Sequence, residues 1–331
     1  MSDAAPSPPS ATLGEHGTGG PLRARTAPEP RRPSRGRGRR GGGGRSLAGY
    51  GFVAPAVVFF VAFFVLPVAY AIYLSLRGAR LTGGGALGIR RETWVGLANY
   101  RDALTDPQLL ASLGRMLVIG GVAVPVTLGA ALLFALLLDV PRVRAVRSSR
   151  TAIFLPYAVP GVVASLLWGF LYLPRTSPFG FTGIGFLDEP ALFGSVANIA
   201  VWSGVGFNMI VLFTALQSVP REVYEAARID GCGEWQIALR IKIPLVVPAL
   251  ALTGLFSLIG ALQIYGEPQT LRPLTSSISS TWVPLMKVYR DAFTTDDIGG
   301  AAATSVVLAL GSLLLSLLVL KAAQRRTRSS S

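Results

Sequence analysis

Glu225-Ala226-Ala227-Arg228-Ile229-Asp230-Gly231 is a compact polar stretch between two long apolar runs, ahead of the Ile243-Pro244 step. The flanking runs, 190–220 and 243–266, contain no Asp, Glu, Lys or Arg, and four more such runs lie at 46–76, 116–138, 151–174 and 298–320. Each exceeds the roughly 20 residues needed to cross about 30 Å of hydrocarbon at 1.5 Å per residue. The 331-residue chain is 15% charged and 51% hydrophobic, whereas soluble domains are about 25% charged. Six charge-free runs argue against the buried core helices of a soluble protein, and their solid apolarity argues against a barrel, whose strands alternate. The fold class is therefore an all-α polytopic membrane protein. Its domain spans 47–322, with six transmembrane helices near 50–76, 114–138, 151–174, 195–216, 245–267 and 299–321, and the polar segment 217–244 lies between the fourth and fifth.

The 31 basic residues fix an orientation. With the termini and the stretches 139–150 and 217–244 on one side, that side holds 21 of them against 9 on the other. Excess Lys and Arg marks the cytoplasmic face, so both termini are expected there, in a multi-pass protein of the cell membrane. Residues 1–46 are rich in Pro, Gly, Ser and Arg and are expected to form a disordered basic tail in contact with anionic lipid; 323–331 form a short C-terminal tail. The net charge of +14 does not imply nucleic acid, because the Gly-Arg run before Arg45 has no interleaved aromatics and no accompanying fold. Gly36 to Gly41 imitates part of a phosphate loop, but no Lys-Ser or Lys-Thr follows. The chain is expected to bind no ATP or other cofactor itself. The apolar run at 46–76 is too long for a cleavable signal. One cysteine, Cys232, excludes a disulfide framework and a cysteine-built zinc site, and the one histidine, His16, lies in the tail.

The polar segment reads as a helix-turn-helix or as a loop folded on itself. Pro220 suits a first turn, with Ser218 or Val219 as cap. Val223, Ala226, Ala227 and Asp230 share one face of small residues that another protein could approach closely. Arg221 and Glu225 are spaced to pair. Gly231 falls where a helix ends in a left-handed residue, and a second helix from Glu234 through Trp235 and Leu239 should stop before Pro244. Elsewhere, Trp94, Leu97, Tyr100 and Leu104 suggest an interfacial amphipathic helix within 94–113, as membrane anchor or partner contact. Pro55, Pro67, Pro125, Pro156 and Pro160 should bend their helices.

Glu225-Ala226-Ala227, Asp230-Gly231, Ile241 and Pro244 resemble the cytoplasmic signature, the EAA loop, of binding-protein-dependent ABC importer permeases. The resemblance covers most of 50–322. Trp94 to Tyr100, Phe154-Leu-Pro-Tyr157, Ala292-Phe293 and Gly300-Ala301-Ala302-Ala303 are similar to the carbohydrate-uptake branch, which includes the larger permease of the maltose transporter. The fold implied is that of a type I ABC importer permease. The resemblance implies a transport subunit rather than an enzyme, working with a second permease as heterodimer, two ATP-binding subunits that use ATP and Mg, an extracytoplasmic solute-binding protein and a sugar substrate. It also implies that Glu225, Ala226, Ala227, Asp230, Gly231, Trp235, Ile241 and Pro244 couple the chain to the ATPase. The chain departs from the family at Cys232, Ala238 and Ile243, where alanine, an aromatic and leucine are usual; Trp235 is expected to supply the bulk that Ala238 lacks.

Polar groups within apolar runs are costly in lipid and face the bundle interior. Asn198, Asn208, Gln263, Tyr265 and Glu267, with Trp168 and Trp202 for stacking, are candidates for the solute path; the amides of Asn208 and Gln263 match sugar hydroxyls best. Each could equally bond helix to helix. A secondary transporter would place ionisable groups mid-membrane, but Arg115, Asp139 and Glu267 all lie near run ends. An integral-membrane enzyme would need a catalytic cluster, and Asp296-Asp297 reads as a solvated or capping pair. An ABC permease for another small solute would share the polar segment but not 94–100 and 154–157.

Overall fold

The computed structural model describes residues 47–82, 89–140 and 145–328. The expected basic tail over 1–46 and residues 329–331 lie outside them. The chain up to Ala54 is a small unit of its own, described from the opening turns of the first helix; the helical unit that holds the site begins at Pro55.

The elements run α1 (Leu47–Phe60), a π-helical turn (Val61–Val65), α2 (Leu66–Ser75), a hairpin of β1 (Arg77–Thr82) and β2 (Ile89–Trp94), α3 (Ala98–Thr105), α4 (Pro107–Leu138), α5 (Val146–Ala158), α6 (Gly161–Tyr172) and α7 (Ala191–Gln217). They continue through α8 (Arg221–Ile229), α9 (Glu234–Ile237), a second π-helical turn (Ala238–Lys242), α10 (Ile243–Leu262), α11 (Gly266–Leu271), α12 (Pro284–Phe293) and α13 (Ile298–Arg328). Among the described residues, five helical stretches are long and apolar enough to cross a membrane: Gly51–Ser75, Pro107–Leu138, Ala191–Gln217, Glu234–Leu262 and Ile298–Lys321. The expected single helix over 151–174 is instead α5 and α6, bent by 94° at a break. Val159 is extended ahead of Pro160, as a residue before proline prefers, and that ends α5. Pro125, by contrast, lies inside the unbroken α4.

Two further expectations are corrected. The helix from Glu234 does not stop before Pro244; it passes through the π-turn into α10. Proline removes a donor and clashes with the carbonyl four residues back. A π-turn moves backbone bonds to the fifth residue, and Ile243 N–H indeed bonds Ala238 O. Val61–Val65 stands in the same relation to Pro67, with Leu66 N–H bonded to Val61 O. Nor do residues 94–113 form one amphipathic helix. Trp94 pairs with Arg77 across the hairpin, α3 ends at Thr105, and Asp106 breaks the chain in an extended conformation, its side chain accepting from Gln108 N–H at 2.7 Å as cap of α4. Within the short C-terminal tail, residues 323–328 continue the last helix beyond its apolar span.

The bundle is built on α4 and α7. Ala123, Thr127, Ala131 and Ala135 recur every fourth residue of α4 and are all buried. Such a stripe of small side chains lets helix backbones approach closely where lipid supplies no hydrophobic drive between helices. At one end it merges with a core of Leu138, Met209, Leu212, Phe213, Leu216 and Val246; at the other, α6, α7, α11 and α12 pack around Trp282, Leu192, Val196, Leu271 and Met286. Gly206 is the tightest point of α5 on α7: a Cβ there would lie 2.6 Å from Ile153 O.

The end of the bundle bearing Trp282 is clamped by charge. Lys287 on α12 pairs with Asp106 at 2.8 Å and with Asp291 at 2.5 Å, and Arg290 pairs with Asp291 at 2.6 Å. Burial alone would push the Asp106 carboxyl up, but the bonds from Lys287 and the Gln108 N–H outweigh it and hold the carboxyl below its ordinary range. Burial likewise works against the Lys287 ammonium, and its two carboxylates outweigh that. Asp297 acts as a cap, accepting from Gly300 N–H at 3.0 Å.

Candidate functional site

The polar segment is a helix-turn-helix carried on the ends of α7 and α10. Pro220 stands as the N-cap residue, and α8 begins at Arg221. Its C-terminus closes as a Schellman motif: Cys232 N–H bonds Ala227 O at 2.9 Å, Gly231 N–H bonds Arg228 O at 3.1 Å, and Gly231 has φ +83°. Cys232 packs on the small core of Tyr224, Ala227 and Ile237, the apolar contact that accompanies this motif. Gln236 accepts from Gly233 N–H at 3.0 Å at the start of α9.

This fold sorts the expected coupling residues into two groups. Glu225, Ala226, Asp230 and Trp235 face outward. Ala227 is buried, and Ile241 packs on the same small core, so both hold the segment together rather than present a surface. Tyr224, three residues before Ala227 and so on the same face of α8, is buried with it against Ile237. Ile229 was missed: it is 87% exposed, more than Trp235 at 73%, and Val223 and Leu239 are exposed as well. Ala238, half-buried, contributes little to that surface. The charged pair is Arg228 with Glu234 at 2.9 Å, not Arg221 with Glu225; this bond holds the Arg228 guanidinium above its ordinary range.

Beneath the segment lies a buried polar junction. Asp139, the residue after α4, accepts from Lys242 Nζ at 2.5 Å and from Gln217 Nε2 at 2.6 Å. The Lys242 and Asp139 side chains are 4% and 6% exposed. Lys242 Nζ also lies 5.0 Å from the centre of the Tyr224 ring. Burial, with the Asp139 charge added, raises the Tyr224 phenol above its ordinary range.

Farther along the bundle, α4, α7 and α10, with Tyr157 of α5 and Glu267 of α11, line a half-open cavity of about 370 Å³. Thr127, Ser203, Asn208 and Ser257 supply hydroxyl and amide groups, Tyr157 and Phe207 supply rings, and Glu267 supplies the one charge among the described lining residues. The Tyr157 and Phe207 rings stack with centres 5.2 Å apart. Asn208 is 4% exposed, donates to Gly204 O at 2.9 Å and accepts from Ser257 Oγ at 3.3 Å, so it both lines the cavity and bonds α7 to α10.

Of the residues expected along a solute path, Asn208 and Glu267 line this cavity and the others do not. Asn198 donates to Tyr172 Oη at 2.9 Å. Trp168 stacks on Tyr172 and meets Trp202 edge-on in a separate aromatic cluster. Gln263 is exposed at the end of α10, and Tyr265 packs against Tyr289. The break between α5 and α6 carries Trp168 away from the cavity, whereas α5 brings Tyr157 to it. Thr127, Ser203, Ser257, Tyr157 and Phe207 were missed. The signal for Thr127 was its place in a stripe of alanines, and for Tyr157 the Phe154-Leu-Pro-Tyr157 motif.

Residues 128–328 match the family described as "Binding-protein-dependent transport system inner membrane component". Similar proteins include the osmoprotective compounds uptake permease protein GgtC of Synechocystis sp., 29% identical over 274 residues that make up 78% of this chain and 92% of that protein. The sn-glycerol-3-phosphate transport system permease protein UgpA of Brucella abortus is 31% identical, over 78% of this chain and 88% of that protein. Among solved structures, a bacterial alginate ABC transporter in complex with alginate pentasaccharide-bound periplasmic protein contains a chain with the same fold, at TM-score 0.70 and 20% identity, over 86% of this chain and 96% of that one.

Proposed function

The chain belongs to the family of binding-protein-dependent transport system inner membrane components, and from that premise we propose that it carries a neutral polyhydroxylated solute, a sugar or oligosaccharide, through the cavity between α4, α7 and α10. It is a multi-pass membrane permease subunit of an ABC importer. The supporting observation for the solute is the chemistry of the cavity wall. Hydroxyl and amide groups beside two stacked rings suit the alternating polar edges and apolar faces of a sugar. Glu267 is the charge there and no described lining residue is a cation, which disfavours a phosphate ester, a ligand that calls for Arg or Lys.

The segment 217–244 docks on a separate ATP-binding subunit, through the outward face of Glu225, Ala226, Asp230 and Trp235 with Ile229 beside them. A surface of exposed apolar groups rimmed by charge is the composition of a protein interface. ATP and Mg act on that subunit, two copies of which serve this chain and a second permease, and an extracytoplasmic binding protein delivers the solute. Closure of the ATP-binding subunits moves the segment and switches access to the cavity. The termini, by their basic residues, lie in the cytoplasm, and lipid surrounds the bundle.

Uptake by a deletion strain of labelled neutral sugars, polyols and sn-glycerol-3-phosphate tests this reading. One neutral compound is expected to lose uptake and regain it with the wild-type chain but not with Trp235→Ala. Loss of glycerol phosphate uptake alone would overturn the solute class, and full uptake with Trp235→Ala would overturn the docking surface.

A further inference from the structure

The cavity is walled by α4 and α7, yet the docking segment is covalently continuous only with α7 and α10. How a displacement of the segment reaches α4 is therefore a physical question. Asp139, the residue that ends α4, lies 103 residues from Lys242 in sequence and 2.5 Å from it in space. We propose that the Asp139–Lys242 pair, with Gln217, is the tie that carries movement of the docking segment into α4; its members are positioning residues, and the proposal rests on the coupling reading given above.

Three observations support it. First, the pair is a meeting point: Asp139, the residue after α4, accepts from both Gln217 at the end of α7 and Lys242 just ahead of α10, and Lys242 in turn lies against Tyr224 on the underside of α8. Second, both charged side chains are more than nine-tenths buried. Separating them in place would leave two uncompensated charges in a low-dielectric setting, which is far costlier than moving them together. Third, the apolar core of Tyr224, Ala227 and Ile237 lies within the segment itself, and the Tyr224 phenol makes a longer, neutral bond to Leu216 O, at 3.5 Å. Apolar surfaces slide at little cost, whereas an ion pair with a second donor on the same carboxylate fixes direction and register. Lys242 stands out in sequence too, as a cation one residue before the apolar run of α10.

The experiment uses the permease assembled with its partner subunits. Cys232→Ala removes the one native cysteine, and Ser203→Cys places a thiol in the cavity wall. The rate of labelling by N-ethylmaleimide, with and without ATP and vanadate, then reports whether closure of the ATP-binding subunits reaches the cavity. In this background we expect a change of about tenfold or more. Asp139→Asn and Lys242→Met should keep the ATP-binding subunits bound yet reduce the change to under twofold, and Lys242→Arg, which keeps the charge, should retain it. If a lone replacement blocks assembly, the double variant Asp139→Leu/Lys242→Met, which strands no charge, replaces it with the same expectation. A full ATP-dependent change in the double variant or in either single one overturns the proposal, as does its loss in Lys242→Arg. A parent complex that binds the ATP-binding subunits but shows no change counts against the coupling reading itself, and is thereby distinguished from failure confined to the variants.

Discussion

Gly231 holds the docking segment in shape through its backbone rather than its side chain. At φ +83°, a β-branched residue is strained by about 1–3 kcal/mol, while asparagine tolerates the same region. No atom lies within 4 Å of a Cβ built there, so the effect is conformational and not steric. Gly231→Val is expected to abolish co-purification of the ATP-binding subunits while leaving membrane insertion intact, and Gly231→Asn to preserve it. Gly231 was legible from sequence because a helix of alternating face, a glycine and a second helix start fall in order. The inward turn of Ala227 was not, since burial beneath α8 depends on Tyr224, Ile237 and Cys232 meeting in space. Asp139 was legible only as a charge near a run end; its partner lies too far along the chain for any local pattern to reveal.

At the scale of elements, close approach governs the pairing of α5 with α7. A side chain at Gly206 would press on the backbone of Ile153 and Phe154, whereas one at Gly204 would meet side-chain atoms alone, the nearest being the methyl of Thr127 at 3.3 Å. Gly206→Leu is therefore expected to destabilise the purified protein by about 1–3 kcal/mol, read as a lowered melting temperature in detergent, and Gly204→Ala by much less. The apolar runs located most of the spans, because hydrophobic length is a property of local sequence. The division of 151–174 into α5 and α6 needed Pro160 to be read as a break and not a bend, and proline in membrane helices does either, as Pro125 inside α4 demonstrates. The π-turns ahead of Pro67 and Pro244 show a third outcome, in which the helix persists because its backbone bonds shift by one residue.

For the whole molecule, the cavity proposed for the solute lies against α4 and α7, the pair on which the bundle is built. Ser203→Trp, on the α7 wall, should fill much of the about 370 Å³ space. Uptake is expected to fall at least tenfold while the ATP-binding subunits remain bound; unchanged uptake would place the path elsewhere. Sequence reasoning placed the path among buried amides and aromatics, and found Asn208 and Glu267. It could not exclude Asn198, Trp168 and Trp202, because the chemistry that suits a sugar also suits helix packing, and only the packing of α6 on α7, which gathers them with Tyr172, decides between the two. The buried junction at the end of α4 has a bearing on biosynthesis as well. The ribosome completes Asp139 well before Lys242, and at about 5–20 residues per second the 103-residue interval lasts roughly 5–20 s. During that time the carboxylate is without Lys242, its partner in the folded chain, so the junction at the end of α4 is completed only after the start of α10 has been made.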